Sequence, residues 1–154
     1  MRVIPLGDDH GIGAMLEAIK CLKLGGVVVI PTDTVYGLAA DAMNEKAIAR
    51  VFAIKMRGGD KPLPVFVGDF DMIDKVALAS EDLKEYIKKC GSITAVLPSR
   101  GWMPMLLRGG QLSIGVRIPD HPFVQRLIKG FAGPITGTSA NISGSGPHSK
   151  IRDV

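Results

Sequence analysis

The sequence is poor in the residues that build metal sites and disulfide frameworks. Its 154 residues include two cysteines, Cys21 and Cys90, and three histidines. The cysteines show neither CxxC nor CxxH spacing and the histidines are scattered, which disfavours a zinc site and leaves the pairing of the cysteines open. We therefore expect no metal held by protein ligands alone.

Long apolar runs and aromatic residues are also scarce. No apolar run reaches the ~18 residues of a membrane span, and the opening MRVIPLGDDHG lacks the apolar core of a secretory signal. We expect a cytoplasmic protein with no membrane partner. One Trp, two Tyr and five Phe are few for a surface that stacks single-stranded RNA.

Apolar residues as a class are abundant, at 46% of the chain, and this content excludes disorder. The length favours a single domain over residues 1–154, with enough chain to bury a core. A net charge of +4 and a pI near 9.2 suit a nucleotide or RNA partner, and are also ordinary for a soluble enzyme.

An apolar run that ends in a polar cluster is the most informative stretch. Residues 27–30 are valine and isoleucine without interruption, which predicts a short strand buried on both faces. Three hydroxyls and a carboxylate follow it, on Thr32, Asp33, Thr34 and Tyr36. Open α/β sheets collect ligands at the carboxyl ends of their strands, so we expect a small hydroxyl-lined pocket here.

A basic segment follows the next predicted helix, which Asn44 is suited to cap. Lys55, Arg57 and Lys61 surround the adjacent glycines at 58–59, which let the backbone approach a ligand closely. Lysine and arginine supply the charge that a phosphate chain needs, so we interpret the segment as a polyphosphate site. The alternative is a solvated helix end, because the macrodipole alone favours cations there.

The rest of the chain alternates between helix and strand patterns, which predicts an α/β fold. Helices are expected from residue 12 to the glycines at 25–26, and over 69–76, 81–90 and 122–130; strands are expected over 2–5, at a sheet edge, and over 65–67, 92–98, 111–118 and 134–141. Residues 99–110 are too irregular for a helix. Residues 150–154 resemble the first turn of a helix, so we expect the domain to continue past residue 154.

Two of these strands carry candidate ligand groups. In the strand 111–118, the apolar side chains alternate with polar ones, so Ser113 and Arg117 share a face and Gly115 leaves room between them. That face is either the solvent side of a sheet or a place where Arg117 grips a carboxylate in bidentate fashion. The strand 134–141 ends in hydroxyl side chains and is followed by a serine-glycine loop. This loop is either a flexible linker or a cover over a nucleotide phosphate.

Four motifs in this order resemble the YrdC-like threonylcarbamoyl-AMP synthase family: PTDTVYGLAADA, KMRGGDKPL, SIGVRIPDHP and TSANISG. The resemblance covers essentially the whole chain. It implies an open, twisted, mixed α/β sheet with a concave, positively charged cavity. It also implies that L-threonine, bicarbonate and ATP are joined into threonylcarbamoyl-adenylate and pyrophosphate, with Mg²⁺ on the phosphates. The product would pass to proteins that transfer the threonylcarbamoyl group to tRNA.

Carried over by position, the resemblance implies two sets of site residues. Threonine would contact Thr34, Arg117 and Ser139, with the Thr32 hydroxyl nearby; ATP would contact Arg57, Lys61, Ser113, Asn141 and Ser149, with Lys55 nearby. No covalent nucleophile is implied, because the carbamate of threonine is itself the nucleophile.

The chain departs from the family pattern at two places. Two other functions also stay open. Residues 90–92 read Cys-Gly-Ser in place of the family's usual proline-glycine-proline, and Phe66 stands where many members carry histidine. One alternative is a non-catalytic module of this family that regulates, or that binds tRNA or double-stranded RNA. The other is carbamoyl-adenylate chemistry, as in related domains of hydrogenase maturation proteins.

Overall fold

The fold is a mixed α/β arrangement in a computed structural model that describes residues 2–7, 11–146 and 150–151. Within these residues there are five helices and seven strands. The helices are α1 Ile12–Lys23, α2 Glu45–Lys55, α3 Phe70–Val76, α4 Glu81–Cys90 and α5 Pro122–Phe131; the strands are β1 Val28–Ile30, β2 Gly37–Ala39, β3 Val65–Phe66, β4 Thr94–Pro98, β5 Ser113–Arg117, β6 Ile135–Thr136 and β7 Thr138–Ser139.

The helices lie where the sequence predicts them, because their capping residues act as expected. The Asn44 side chain accepts from two backbone amides of the first turn of α2, at 3.1 Å each, and Ser80 accepts from the Leu83 amide at 3.3 Å in α4. His121 precedes α5 and makes no capping bond with its side chain. Pro122 opens that helix instead, in a position where a missing amide hydrogen costs nothing.

The strands form two sheets. One sheet has the order β1-β2-β7 and is antiparallel throughout. The other has the order β4-β5-β3-β6, in which β3 runs parallel to β5 and the remaining pairs are antiparallel. The expected α/β class and mixed sheet are confirmed.

A buried threonine, Thr136, links the two sheets by hydrogen bonds. The Thr136 amide donates to the Ala40 carbonyl at 2.8 Å, and the Thr136 hydroxyl accepts from the Ala40 amide at 3.0 Å. One residue later, at Gly137, the chain leaves β6 and enters β7 in the other sheet. The single strand predicted over 134–141 is therefore wrong, because two short strands in different sheets occupy that stretch.

Three other strand predictions need correction. Val28 and Val29 in β1 are half-buried rather than covered on both faces, because β1 pairs only with β2 in an antiparallel hairpin. The expected edge strand over residues 2–5 is absent from the described part of the N-terminus, where Arg2 instead pairs with Glu17 of α1 at 3.5 Å. Leu112 is 86% exposed, because β5 begins one residue later.

The core draws on both sheets and all five helices. Helices α1 and α5 pack together so closely that a Cβ at Gly130 would lie 2.8 Å from Cδ1 of Ile19. Buried side chains include Leu22, Ile48, Val65, Ile73, Ile87, Ile114, Leu127 and Ile135. Among the described residues, every helix is too short or too polar to cross a membrane.

Candidate functional site

A small cavity opens where the two sheets meet. Its volume is about 300 Å³, at the lower end of the ~300–1,000 Å³ typical of ligand pockets. Loop 31–36, strands β2, β3 and β5, and the crossing between β6 and β7 all contribute to it. The lining residues are Thr32, Thr34, Val35, Tyr36, Gly37, Pro64, Phe66, Thr94, Arg117, Gly137, Thr138 and Ser139.

The threonines of the first wall are ordered by a local turn. The Thr32 hydroxyl donates to the Val35 carbonyl at 2.6 Å and accepts from the Thr34 amide at 3.2 Å. The hydroxyl oxygens of Thr32 and Thr34 lie 3.2 Å apart, within hydrogen-bonding distance. The Thr32 side chain thus shapes the turn, and both threonines line the cavity.

Arg117 enters the cavity from the end of β5, and two other turns hold it. Its Nη2 donates to Oδ2 of Asp33 at 2.5 Å, and its Nε donates to Oγ of Ser92 at 3.0 Å. Ser92 also donates to Oδ2 of Asp33 at 3.0 Å. Ser92 reaches this position because β4 pairs with β5 in a register that sets Thr94 opposite Arg117.

The Asp33 carboxylate is stabilised in its charged form. Burial acts to raise its pKa, but hydrogen bonds from Ser92 and its own backbone amide, together with the Arg117 charge, outweigh burial and lower the pKa below 3.8. Residues around the cavity thus include an ion pair in which both side chains are about four-fifths buried. Sequence analysis missed the contacts of Asp33 and Ser92 with Arg117, because 84 and 25 positions separate the partners.

Lys55 is buried rather than facing solvent. Its Nζ donates to the carbonyls of Ser139 at 2.5 Å and Asn141 at 2.8 Å, and the residue is only 2% exposed. Burial, and then the charge of Arg57, lower the pKa of Lys55 below its usual value. Lys55 therefore ties the end of α2 to the segment that carries Ser139 into the cavity wall.

The other cations of the basic segment lie outside the cavity lining. Arg57 donates from Nε to the Lys61 carbonyl at 3.1 Å and from Nη2 to the Pro62 carbonyl at 2.9 Å. These bonds curl the loop so that Pro64, two residues beyond Pro62, reaches the cavity. Lys61 is exposed at the tip of the loop.

Ser113 and Asn141, which are also predicted to contact ATP, lie outside the cavity lining as well. Ser113 is at the opposite end of β5 from Arg117, with its Oγ 3.5 Å from Oε1 of Gln111. Asn141 donates from Nδ2 to the Ser145 carbonyl at 2.6 Å, while its Oδ1 is buried and lacks a partner among the described residues. Ser149 lies outside the described residues, and its role stays a prediction.

The structure thus brings the four residues assigned to threonine, Thr32, Thr34, Arg117 and Ser139, to one cavity. Gly115 does not leave an open gap between Ser113 and Arg117, because a Cβ there would meet Pro64 at 3.2 Å and Thr94 at 3.3 Å. Phe66 closes one wall, and its ring lies where a Cβ of Gly137 would be.

No cluster of metal ligands accompanies this site in the described residues, where three or more His, Cys, Asp or Glu side chains do not come together. Mg²⁺ commonly keeps several waters and binds substrate phosphates with only one or two carboxylates. The residues present therefore fit a magnesium ion that arrives with a polyphosphate, and do not fit a dedicated protein cage.

The chain belongs to the Sua5/YciO/YrdC family. The family model, described as telomere recombination, matches residues 20–154. A threonylcarbamoyl-AMP synthase of Vibrio vulnificus is 37% identical over 138 residues, which cover 86% of this chain and 74% of that protein. Another from Chromohalobacter salexigens is 34% identical over 142 residues, covering 90% of this chain and 76% of that protein.

A solved structure gives the same result for the fold. The Sua5 protein of Pyrococcus abyssi, crystallised with L-threonine, superposes with a TM-score of 0.85 at 33% identity. The match covers 90% of this chain and 42% of that protein, so this chain spans about two fifths of its length. The family resemblance of the four motifs and the mixed α/β fold are confirmed.

Proposed function

We propose that this chain is an L-threonylcarbamoyladenylate synthase. The observation that carries the proposal is the cavity of about 300 Å³ in which Arg117, Thr34 and Ser139 converge. An arginine fork matches a carboxylate, and hydroxyls suit the amine and hydroxyl of an amino acid. The family relatives named threonylcarbamoyl-AMP synthases, and the threonine complex of the Pyrococcus protein, support the same substrate.

ATP occupies the outer side of this site in our proposal. A cavity of about 300 Å³ suits an amino acid, so the nucleotide extends from it toward Arg57 and Lys61 on the loop that leads to Pro64. Asn141 offers a further polar contact near Ser139, because its buried side-chain oxygen Oδ1 has no hydrogen-bond partner among the described residues. Lys55, Ser113 and Ser149 keep the ATP roles that the resemblance implies, and Lys55 also supports the Ser139 segment.

The reaction needs alignment and charge neutralisation more than a protein nucleophile. The ammonium group of threonine first loses a proton, and the resulting amine and bicarbonate then give a carbamate with loss of water. A carbamate oxygen then forms a bond to the α-phosphorus of ATP, and the bond from that phosphorus to pyrophosphate breaks. Arg117 holds the amino-acid carboxylate, while Arg57 and Lys61 offset the phosphate charge. Mg²⁺, bound to the phosphates, would supply further charge neutralisation.

The product is a mixed anhydride that a tRNA-modifying transfer protein would consume, which makes such proteins the expected partners. The test is pyrophosphate release by the chain with L-threonine, bicarbonate and MgATP, and mass detection of the adenylate. We expect release only when all three substrates are present. Threonine and ATP binding without release would contradict the synthase, and would favour the non-catalytic module. Binding of tRNA that weakens steeply with salt would support that module.

A further inference from the structure

A single serine hydroxyl links three separate parts of the chain beside the cavity. Ser92 accepts from Nε of Arg117 at 3.0 Å and from the Asp120 amide at 3.3 Å, and it donates to Oδ2 of Asp33 at 3.0 Å. A hydroxyl has one donor and two acceptor sites. All three are therefore used, and an alanine at position 92 would remove every one of these bonds.

The two contacts with Arg117 lie on one edge of its guanidinium. Nε bonds to Ser92 and Nη2 bonds to Asp33, so the side edge formed by these two nitrogens is occupied. Nη1 has no hydrogen-bond partner among the described residues. A guanidinium has five N–H groups in a fixed plane, so fixing one edge also sets the direction of the other. The end of the guanidinium that Nη1 and Nη2 form is therefore available to bind a ligand.

Asp33 contacts Arg117 from outside the cavity lining. Arg117 belongs to the cavity lining and Asp33 does not. Both side chains are about four-fifths buried, which limits their freedom to move apart. A side chain that is fixed before a ligand arrives loses less conformational entropy on binding.

We propose that Asp33 and Ser92 are positioning residues that hold Arg117 by its side edge, so that its end meets the carboxylate of the amino-acid substrate. This inference rests on the proposed function, because it assumes that the ligand of Arg117 is a carboxylate. The rival account makes Asp33 an internal competitor that occupies Arg117 until substrate displaces it. The two accounts predict opposite changes in affinity when Asp33 loses its charge.

The first measurement is L-threonine binding by calorimetry to the wild-type chain and to the variants Ser92→Ala and Asp33→Asn. We expect about a tenfold weaker affinity in each variant, the loss that corresponds to one hydrogen bond to a charged group. ATP affinity should not change. Ser92→Thr keeps the hydroxyl and should restore most of the affinity. Ser99→Ala is the matched control, because among the described residues the Ser99 hydroxyl donates to the Arg100 carbonyl alone, within its own turn.

The second measurement tests the arrangement without any ligand. In a ¹⁵N NMR spectrum, the Nε–H signal of Arg117, assigned by its absence in Arg117→Lys, should exchange slowly with water in the wild-type chain. It should exchange much faster in Ser92→Ala and as slowly as wild type in Ser99→Ala. Slow exchange requires the bond from Nε to Ser92 to persist in solution.

Two results would overturn the positioning role. Tighter threonine binding in Asp33→Asn would show competition, and a rapidly exchanging Nε–H in the wild-type chain would show that Ser92 does not hold Arg117. Failure of the wild-type chain to bind threonine would instead overturn the proposed function. In that case the Nε–H signal would still decide whether Ser92 holds Arg117.

Discussion

The cavity around Arg117 and the basic loop at residues 57–62 differ in what their cations bind. Arg117 is held by side chains from distant turns, Asp33 and Ser92, and keeps one end toward a cavity. Arg57 instead donates to two backbone carbonyls of its own loop, and Lys61 stays exposed. Arg117 is therefore fixed by contacts between distant parts of the chain, whereas the basic loop is stabilised by hydrogen bonds within the loop.

The largest expected effect concerns the wall of the cavity. In Gly137→Ala the new methyl group would overlap the Phe66 ring, and overpacking of this kind costs about 3 kcal/mol of unfolding free energy. Chemical denaturation measures the loss. Gly101→Ala is the control, because nothing lies within 4 Å of a Cβ at that position. If Gly137→Ala proves as stable as Gly101→Ala, Phe66 does not pack against the crossing between the sheets.

The next effect concerns the loop, where two cations are predicted to bind ATP in different settings. Arg57→Ala and Lys61→Ala should each weaken ATP binding by about 1.5–3 kcal/mol, the range for hydrogen bonds to charged groups. Only Arg57→Ala should also loosen the loop, because only Arg57 donates to carbonyls within it. Calorimetry with ATP and hydrogen exchange of the loop amides separate the two effects. Unchanged ATP affinity in both variants would exclude the phosphate role.

A smaller effect is expected where the two regions meet. Lys55→Met keeps the length of the side chain but removes the donor to the Ser139 and Asn141 carbonyls, which we expect to cost about 2 kcal/mol of unfolding free energy. Lys46→Met, on the exposed face of the same helix, is the matched control. Equal stability of the two variants would mean that Lys55 does not anchor the segment that carries Ser139.

Local patterns in the sequence were enough to predict most of the elements and part of the site. Asn44 and Ser80 cap helices because capping depends on neighbours within one turn, and the Ile114 and Val116 alternation correctly placed Arg117 on the other face of β5. Strand pairing was less predictable. β2 was missed, because its Gly37–Ala39 segment has no alternating pattern and is defined by its partners in the sheet.

Contacts between distant residues explain what the sequence could not predict. The basic helix end gave no sign that the fold brings the carbonyls of Ser139 and Asn141, 84 and 86 positions away, onto the Lys55 ammonium. The role of Asp33 depends in the same way on Arg117, 84 positions away. Polar residues that meet only after folding leave no spacing signal in one sequence.

The most direct test of the account is L-threonine binding to the wild-type chain and to Arg117→Lys, measured by calorimetry. Lysine keeps the positive charge but loses the fork that matches a carboxylate. We expect wild-type binding and at least about a tenfold loss in Arg117→Lys, the equivalent of one charged hydrogen bond. Arg100→Lys is the control, because Arg100 lies outside the cavity lining and donates to the Asp74 carbonyl. This variant should bind threonine as the wild-type chain does. Equal threonine affinity in Arg117→Lys and the wild-type chain would contradict the account.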